Sequence, residues 1–178
     1  MMRLIIFLLA VLHGSFLGND VKMGENRTKG FLKAIQQIES SGGTNFKHPT
    51  MQAGIHKGQT AIGRYGLMPN TVNEVLVRMK RNGIITPELQ QLEGLDPDTM
   101  KQTLEMNPGM EDQIAEVLAN KVLDRQGDEE KAAYSWNQGH NLPPERVDQS
   151  GYQDSDYVKR FNSVRKLITN NSEEPTDE

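Results

Sequence analysis

Apolar residues along this chain recur at helical spacing, and no stretch of convincing length alternates as a strand would. Between Gly30 and Ser40, Phe31, Leu32, Ile35 and Ile38 share one face and predict an amphipathic helix. That helix runs into Glu39-Ser40-Ser41-Gly42-Gly43. Residues Thr44 to Gly58 mix Gly, Pro and His without periodicity and predict a loop, long enough to suggest an active-site role. A second helix is predicted from about Pro69 through Val72, Val75, Leu76 and Met79. Asn70 or Thr71 is placed to cap it and Asn82-Gly83 to stop it.

The pattern continues in the same idiom. Thr86-Pro87 opens a short helix carrying Leu89 and Leu92, and Asp96-Pro97 opens another carrying Met100 and Leu104. Asn107-Pro108 opens the longest, with Met110, Ile114, Val117, Leu118, Val122 and Leu123 as its apolar face. Asp128 is expected to cap a helix from Glu129 to Asn137. A Pro-containing loop should follow from Asn141 to Tyr152, and a last helix from Asp156 carries Val158, Phe161, Val164, Leu167 and Ile168. The expected fold class is all-α or nearly so, with no internal repeat.

The ends are different in character. Arg3 precedes the unbroken apolar run Leu4 to Leu12, a basic start and an apolar core too short to span a bilayer comfortably. Residues 1–18 are therefore expected to be an export signal, which places the protein in a periplasmic or extracellular setting. An uncleaved anchor or a buried helix is the other reading. Cleavage after Ser15 or Gly18 leaves His13 or Phe16 where a small residue is preferred. Residues 19–169 are expected to form one domain, and 170–178 (NNSEEPTDE) an acidic, frayed tail.

Composition narrows the chemistry. Of 178 residues, 20 are Lys or Arg and 24 are Asp or Glu, a formal net charge of −4. This excludes broad electrostatic capture of nucleic acid, which needs a cationic excess, but not a carbohydrate polymer. There is no cysteine, so no disulfide, thiolate nucleophile or thiolate zinc site. His48 and His56 follow Glu39 without a fixed third ligand and read as surface or substrate contacts; His140 is a candidate for a groove. No metal and no cofactor is expected.

Glu39 is the leading candidate for chemistry. It shares a helical face with Ile35 and Ile38, and a carboxyl group at the end of an apolar stripe is partly desolvated, which favours its protonated form. The negative end of the helix dipole acts in the same direction. A glycosidic oxygen needs such an acid. By itself the position reads more readily as a solvated glutamate in the last turn before a glycine-rich cap. Two further segments add to it. Gly63-Arg64-Tyr65-Gly66-Leu67-Met68-Pro69-Asn70-Thr71 brings a Gly-rich turn into a helix start, and Ala133-Tyr134-Ser135-Trp136-Asn137-Gln138-Gly139 ends a helix on the only Trp.

In this order and spacing, the three segments resemble the lytic transglycosylase and goose-type lysozyme superfamily over about Phe31 to Ile168. The family pattern is a helix ending in Glu-Ser, then Gly-x-x-Gly-Leu-Met-Gln or Gly-x-Tyr-Gln-x-x-Pro-x-Thr, then Ala-x-Tyr-Asn-x-Gly. The resemblance implies a lysozyme-like helical domain with a substrate groove, a monomer, acting on peptidoglycan strands at the β-1,4 bond between N-acetylmuramic acid and N-acetylglucosamine. It implies Glu39 as catalytic acid and base, with Ser40, Tyr65, Gly66, Met68, Tyr134, Trp136 and Asn137 contacting substrate. Two positions depart from the pattern: Gly66 stands where glutamine is usual, and Trp136 where tyrosine is usual. Gly66 suggests room for a modified, deacetylated glycan. A single-carboxylate mechanism implies a 1,6-anhydro product. A second carboxylate, for which Glu74, Asp96, Glu105 and Glu111 are candidates, implies hydrolysis instead, and a non-catalytic glycan-binding protein of the same fold is the reading from another class.

Overall fold

The computed structural model describes residues 24 and 26–171, apart from 46 and 53–56. The expected export signal, most of the acidic tail and His56 lie outside the described residues. Helix α1 covers residues 26–40. It is followed by α2 (Pro69–Arg81), α3 (Pro87–Gln90), α4 (Pro97–Met106), α5 (Pro108–Gln126), α6 (Glu129–Gln138), α7 (Pro144–Asp148), a 3-10 turn (Tyr152–Asp154) and α8 (Asp156–Asn170). The fold is all-α. Among the described residues, extended pairing is confined to two isolated antiparallel bridges, Thr50 with Thr60 and Ile62 with Leu67.

Helix starts follow local chemistry. Asp96 accepts from the amides of Asp98 and Thr99, Asp128 from those of Glu130 and Lys131, and Thr86 from that of Leu89. Each satisfies donors that the first turn leaves without intrahelical partners. The start of α2 differs from expectation. Met68, not Asn70 or Thr71, is the cap residue, and no side chain caps it. Pro69 explains this: it lacks an N–H and its fixed φ suits the first helical position, so the helix begins two residues earlier than an Asn70 cap would set it. The expected loop from Asn141 to Tyr152 also contains α7, which is too short to show a period and is anchored by one buried side chain, Val147.

Helix α5 is the centre of the domain, packing on α2, α4 and α6, while α6 packs in turn on α8. Its buried residues Ile114, Ala115, Leu118, Ala119, Val122 and Leu123 form a broad stripe, and the alanines allow close approach of neighbours. Helix α1 lies across this assembly. Phe31, fully buried, meets Trp136 of α6 edge-on at 5.9 Å and Phe161 of α8 at 5.5 Å between ring centroids. Thr28, also buried, donates to Asn120 Oδ1 on α5 at 2.6 Å. Leu167, expected on the apolar face of α8, is exposed, while Phe161 is buried and Val164 and Ile168 pack against the core. Among the described residues, no helix is long and apolar enough to cross a membrane.

The aromatic junction ties α1 to α6 and α8, so Phe31→Ala should cost about 3–5 kcal/mol of stability. Urea unfolding followed by tryptophan fluorescence measures this directly, since Trp136 is the only tryptophan.

Candidate active site

The site is organised by one tight turn. Ile62 and Leu67 exchange backbone hydrogen bonds of 2.8 and 3.0 Å, closing residues 63–66 between them. Gly63 and Gly66 lie in the left-handed region at φ +62° and +63°, where side chains are disfavoured. Each also faces a carboxyl group. A Cβ at position 66 would stand 2.6 Å from Glu39 Oε2, and one at position 63 would run into the Glu111 carboxylate. The turn is thus pressed between two acids.

On its inner side, Glu111 is 1% exposed. Its Oε1 accepts from the Tyr65 amide at 3.1 Å, and its Oε2 pairs with Arg64 Nε at 3.3 Å. Burial pushes the Glu111 pKa up, opposed by the Tyr65 amide and the Arg64 charge. Arg64 Nη2 and the Tyr65 hydroxyl both donate to Asp112 Oδ1 at 2.7 Å. Burial and the bond to Asp112 raise the Tyr65 pKa far above its ordinary value, so this phenol is a donor and not a base.

Ser40 connects the turn to the end of α1. It is 1% exposed, and its Oγ lies 2.9 Å from the carbonyls of both Gln36 and Arg64 while accepting from the Gly43 amide. One hydroxyl therefore holds the helix end, the Ser-Ser-Gly-Gly bend and the 63–66 turn in register. Ser41 completes the bend in the left-handed region at φ +51°, an uncommon conformation for a residue other than glycine.

On the outer side, Glu39 is half-buried and lines a cavity of about 330 Å³. Its Oε1 accepts from the Tyr157 hydroxyl at 2.7 Å. Desolvation by burial raises its pKa above the ordinary 4.5; the Tyr157 bond and the charges of His48 and Arg160 pull the other way, and burial wins. Tyr157 is itself pushed well above 10, by burial first and then by the carboxylate, and remains a donor. His48 forms part of the cavity wall. Its Nε2 lies 2.8 Å from the Gly63 carbonyl, which can only accept, so Nε2 carries the proton.

The structure brings Glu39, Gly66, Met68, Trp136 and Asn137 to this one cavity. It does not bring Ser40, Tyr65 or Tyr134. Ser40 is committed to backbone groups, as above. Tyr65 is buried and directed to Asp112, with its carbonyl accepting from Trp136 Nε1 at 3.2 Å. Tyr134 faces Tyr152, 6.4 Å between centroids. In this structure Ser40 and Tyr65 position the 63–66 turn, and Tyr134 packs beside Tyr152. At Gly66 the space that a side chain would fill is taken by the Glu39 carboxyl.

Among the described residues lining the cavity, Glu39 is the sole carboxylate. Glu74 bonds His140 and Asn141, Asp96 caps α4, Glu105 pairs with Lys101 at 3.9 Å, and Glu111 lies behind the turn. No group of three or more His, Asp and Glu among the described residues is arranged to hold a metal ion. Sequence reasoning missed Tyr157. Its signal was its place four residues before Phe161 on the core stripe of α8, since a buried phenol needs an acceptor. No family model, curated protein or solved structure matches this chain.

Two substitutions test this geometry. Tyr157→Phe removes the bond that lowers the Glu39 pKa, so the Glu39 titration midpoint should rise, as read by carboxyl ¹³C NMR. Gly66→Ala should destabilise by more than the roughly 1–2 kcal/mol cost of a left-handed alanine, because the new methyl also displaces the Glu39 carboxyl. Thermal unfolding measures that loss.

Proposed function

We propose that this chain is a peptidoglycan lytic transglycosylase in which Glu39 acts as both acid and base. The observation that carries the reading is a single, partly desolvated carboxyl group in a cavity. Burial raises its pKa, and one of its oxygens accepts a hydrogen bond from Tyr157. The ordered motifs at Glu39-Ser40, Gly63 to Thr71 and Trp136 to Gly139 support it, since Met68, Trp136 and Asn137 are among their residues that line the same cavity as Glu39 and Gly66.

In this mechanism Tyr157 occupies Oε1, and Oε2, over Gly66, delivers the proton to the glycosidic oxygen. The C1–O bond of N-acetylmuramic acid breaks with its electron pair going to the leaving N-acetylglucosamine, and the neighbouring N-acetyl group stabilises the cationic centre. The Glu39 carboxylate then takes the proton of the same sugar's 6-hydroxyl, whose oxygen closes on C1. The product is a 1,6-anhydro end, and Glu39 regains its proton. No second carboxylate is needed, in contrast to enzymes that position a water between two acids. Trp136 supplies an apolar face on which a sugar ring can stack, and Asn137 supplies amide hydrogen-bonding groups. The segment Leu4 to Leu12, read as an export signal, would deliver the enzyme to the wall.

Glu39→Gln should reduce release of soluble fragments from peptidoglycan by at least about 10²-fold. The same variant should be more stable than wild type at neutral pH. The raised carboxyl pKa stabilises the fold fully below 4.5 and loses that contribution as pH rises through the folded value, whereas glutamine does not titrate. Mass spectrometry of fragments made by the wild type decides the chemistry. Anhydro ends are expected; reducing ends would make it a hydrolase, and absence of release would remove the enzymatic reading.

A further inference from the structure

The Glu39 cavity does not end at Trp136 and Asn137. Thr71, Gln138, Gly139 and His140 also line a second depression of about 600 Å³. That depression shares Asn70 and Glu74 with a third, of about 630 Å³, between α2 and α5. Asn70, Glu74, Arg78 and Arg81 follow one stripe of α2, so this helix runs beside all three. At 1.5 Å per residue, Arg78 and Arg81 lie roughly 10 and 15 Å along its axis from Thr71.

The third depression is cationic in a chain of net negative charge. Arg78, Arg81 and Lys121 line it, over Val75, Val77 and Val117. Both arginines are exposed, and among the described residues neither has a side-chain hydrogen bond or ion pair. Lys121 donates to Asn141 Oδ1 at 2.7 Å, and its ammonium feels the charges of Arg78 and Arg125. The one carboxylate on this wall, Glu74, is held by His140 at 2.9 Å and Asn141 at 3.0 Å. Unpaired guanidinium groups beside a lysine form a receptor for carboxylates, which arginine can grip with two parallel hydrogen bonds.

We propose that this depression binds the carboxylate groups of the peptide stems carried by a glycan strand whose scissile bond lies at Glu39. The inference rests on the proposed peptidoglycan reading. The N-acetylated sugar backbone is uncharged, so the anionic groups of the polymer lie on its stems. A strand continuing from the Glu39 cavity past Glu74 and His140 places a stem beside Arg78 and Arg81. Recognition is then divided: the catalytic cavity takes sugar, and the cationic depression takes peptide.

The test uses the full chain and two substrates, glycan strands with intact stems and the same strands after enzymatic removal of the stems. Wild type should cleave stem-bearing strands with a kcat/KM about ten-fold higher, the order expected for one charge-assisted contact. Arg78→Gln/Arg81→Gln should abolish that preference, and Arg78→Lys/Arg81→Lys should restore part of it. A preference unchanged in the double glutamine variant, or absent in wild type, overturns the inference while leaving the glycan-cleaving reading intact. If wild type cleaves neither strand, the functional reading fails. Binding then decides the inference separately: a free stem tetrapeptide should shift the Arg78 and Arg81 amide resonances of wild type, and no shift overturns it.

Discussion

A carboxylate buried behind a four-residue turn is the contact on which the site depends. Glu111 accepts from the Tyr65 amide and pairs with Arg64, fixing both the backbone and one side chain of residues 63–66. Burying such a charge is unfavourable unless it is paired and bonded, and here both oxygens have partners. Everything outward of the turn inherits its position. Gly66 sits under Glu39, Gly63 offers its carbonyl to His48, the Arg64 carbonyl receives Ser40, and the Tyr65 carbonyl receives Trp136. Four successive residues thus reach the end of α1, the loop that carries His48, and α6.

The two acids differ because their surroundings differ. Burial raises the pKa of both, yet Glu111 faces a guanidinium and an amide, whereas Glu39 faces a phenol, a glycine and an open cavity. The first arrangement holds a charge in place as a structural brace. The second leaves a carboxyl group, its pKa raised by burial, on the wall of an open cavity. Tyr157 is central to that contrast, since one neutral donor orients the carboxyl group without supplying the positive charge that would fully ionise it.

Much of the fold was legible in the sequence. Helical spacing identified α2, α4, α5, α6 and α8, and the Asp96, Asp128 and Thr86 caps behave as their positions suggested. What escaped was either too short to show a period, overridden by an adjacent proline, or governed by contacts distant in sequence. Helix α7 has one apolar anchor, too few for a period to appear. Met68 caps α2 because Pro69 overrides the polar residues that follow. In the site, Glu39, Gly66, Met68, Trp136 and Asn137 were found together from their motifs, but motif membership did not reveal which way a side chain turns. Tyr65 and Ser40 belong to those motifs and point inward, while Tyr157, 118 residues from Glu39, belongs to none of them.

Proline begins five of the helices, at positions 69, 87, 97, 108 and 144. A proline also keeps the residue before it out of helical conformation. At α2 that residue is Met68, extended at φ −76° and ψ 142°, and part of the cavity wall. Helix α2 therefore cannot lengthen by a turn and draw Met68 away. One wall of the cavity is set by covalent geometry, through the φ of a single proline.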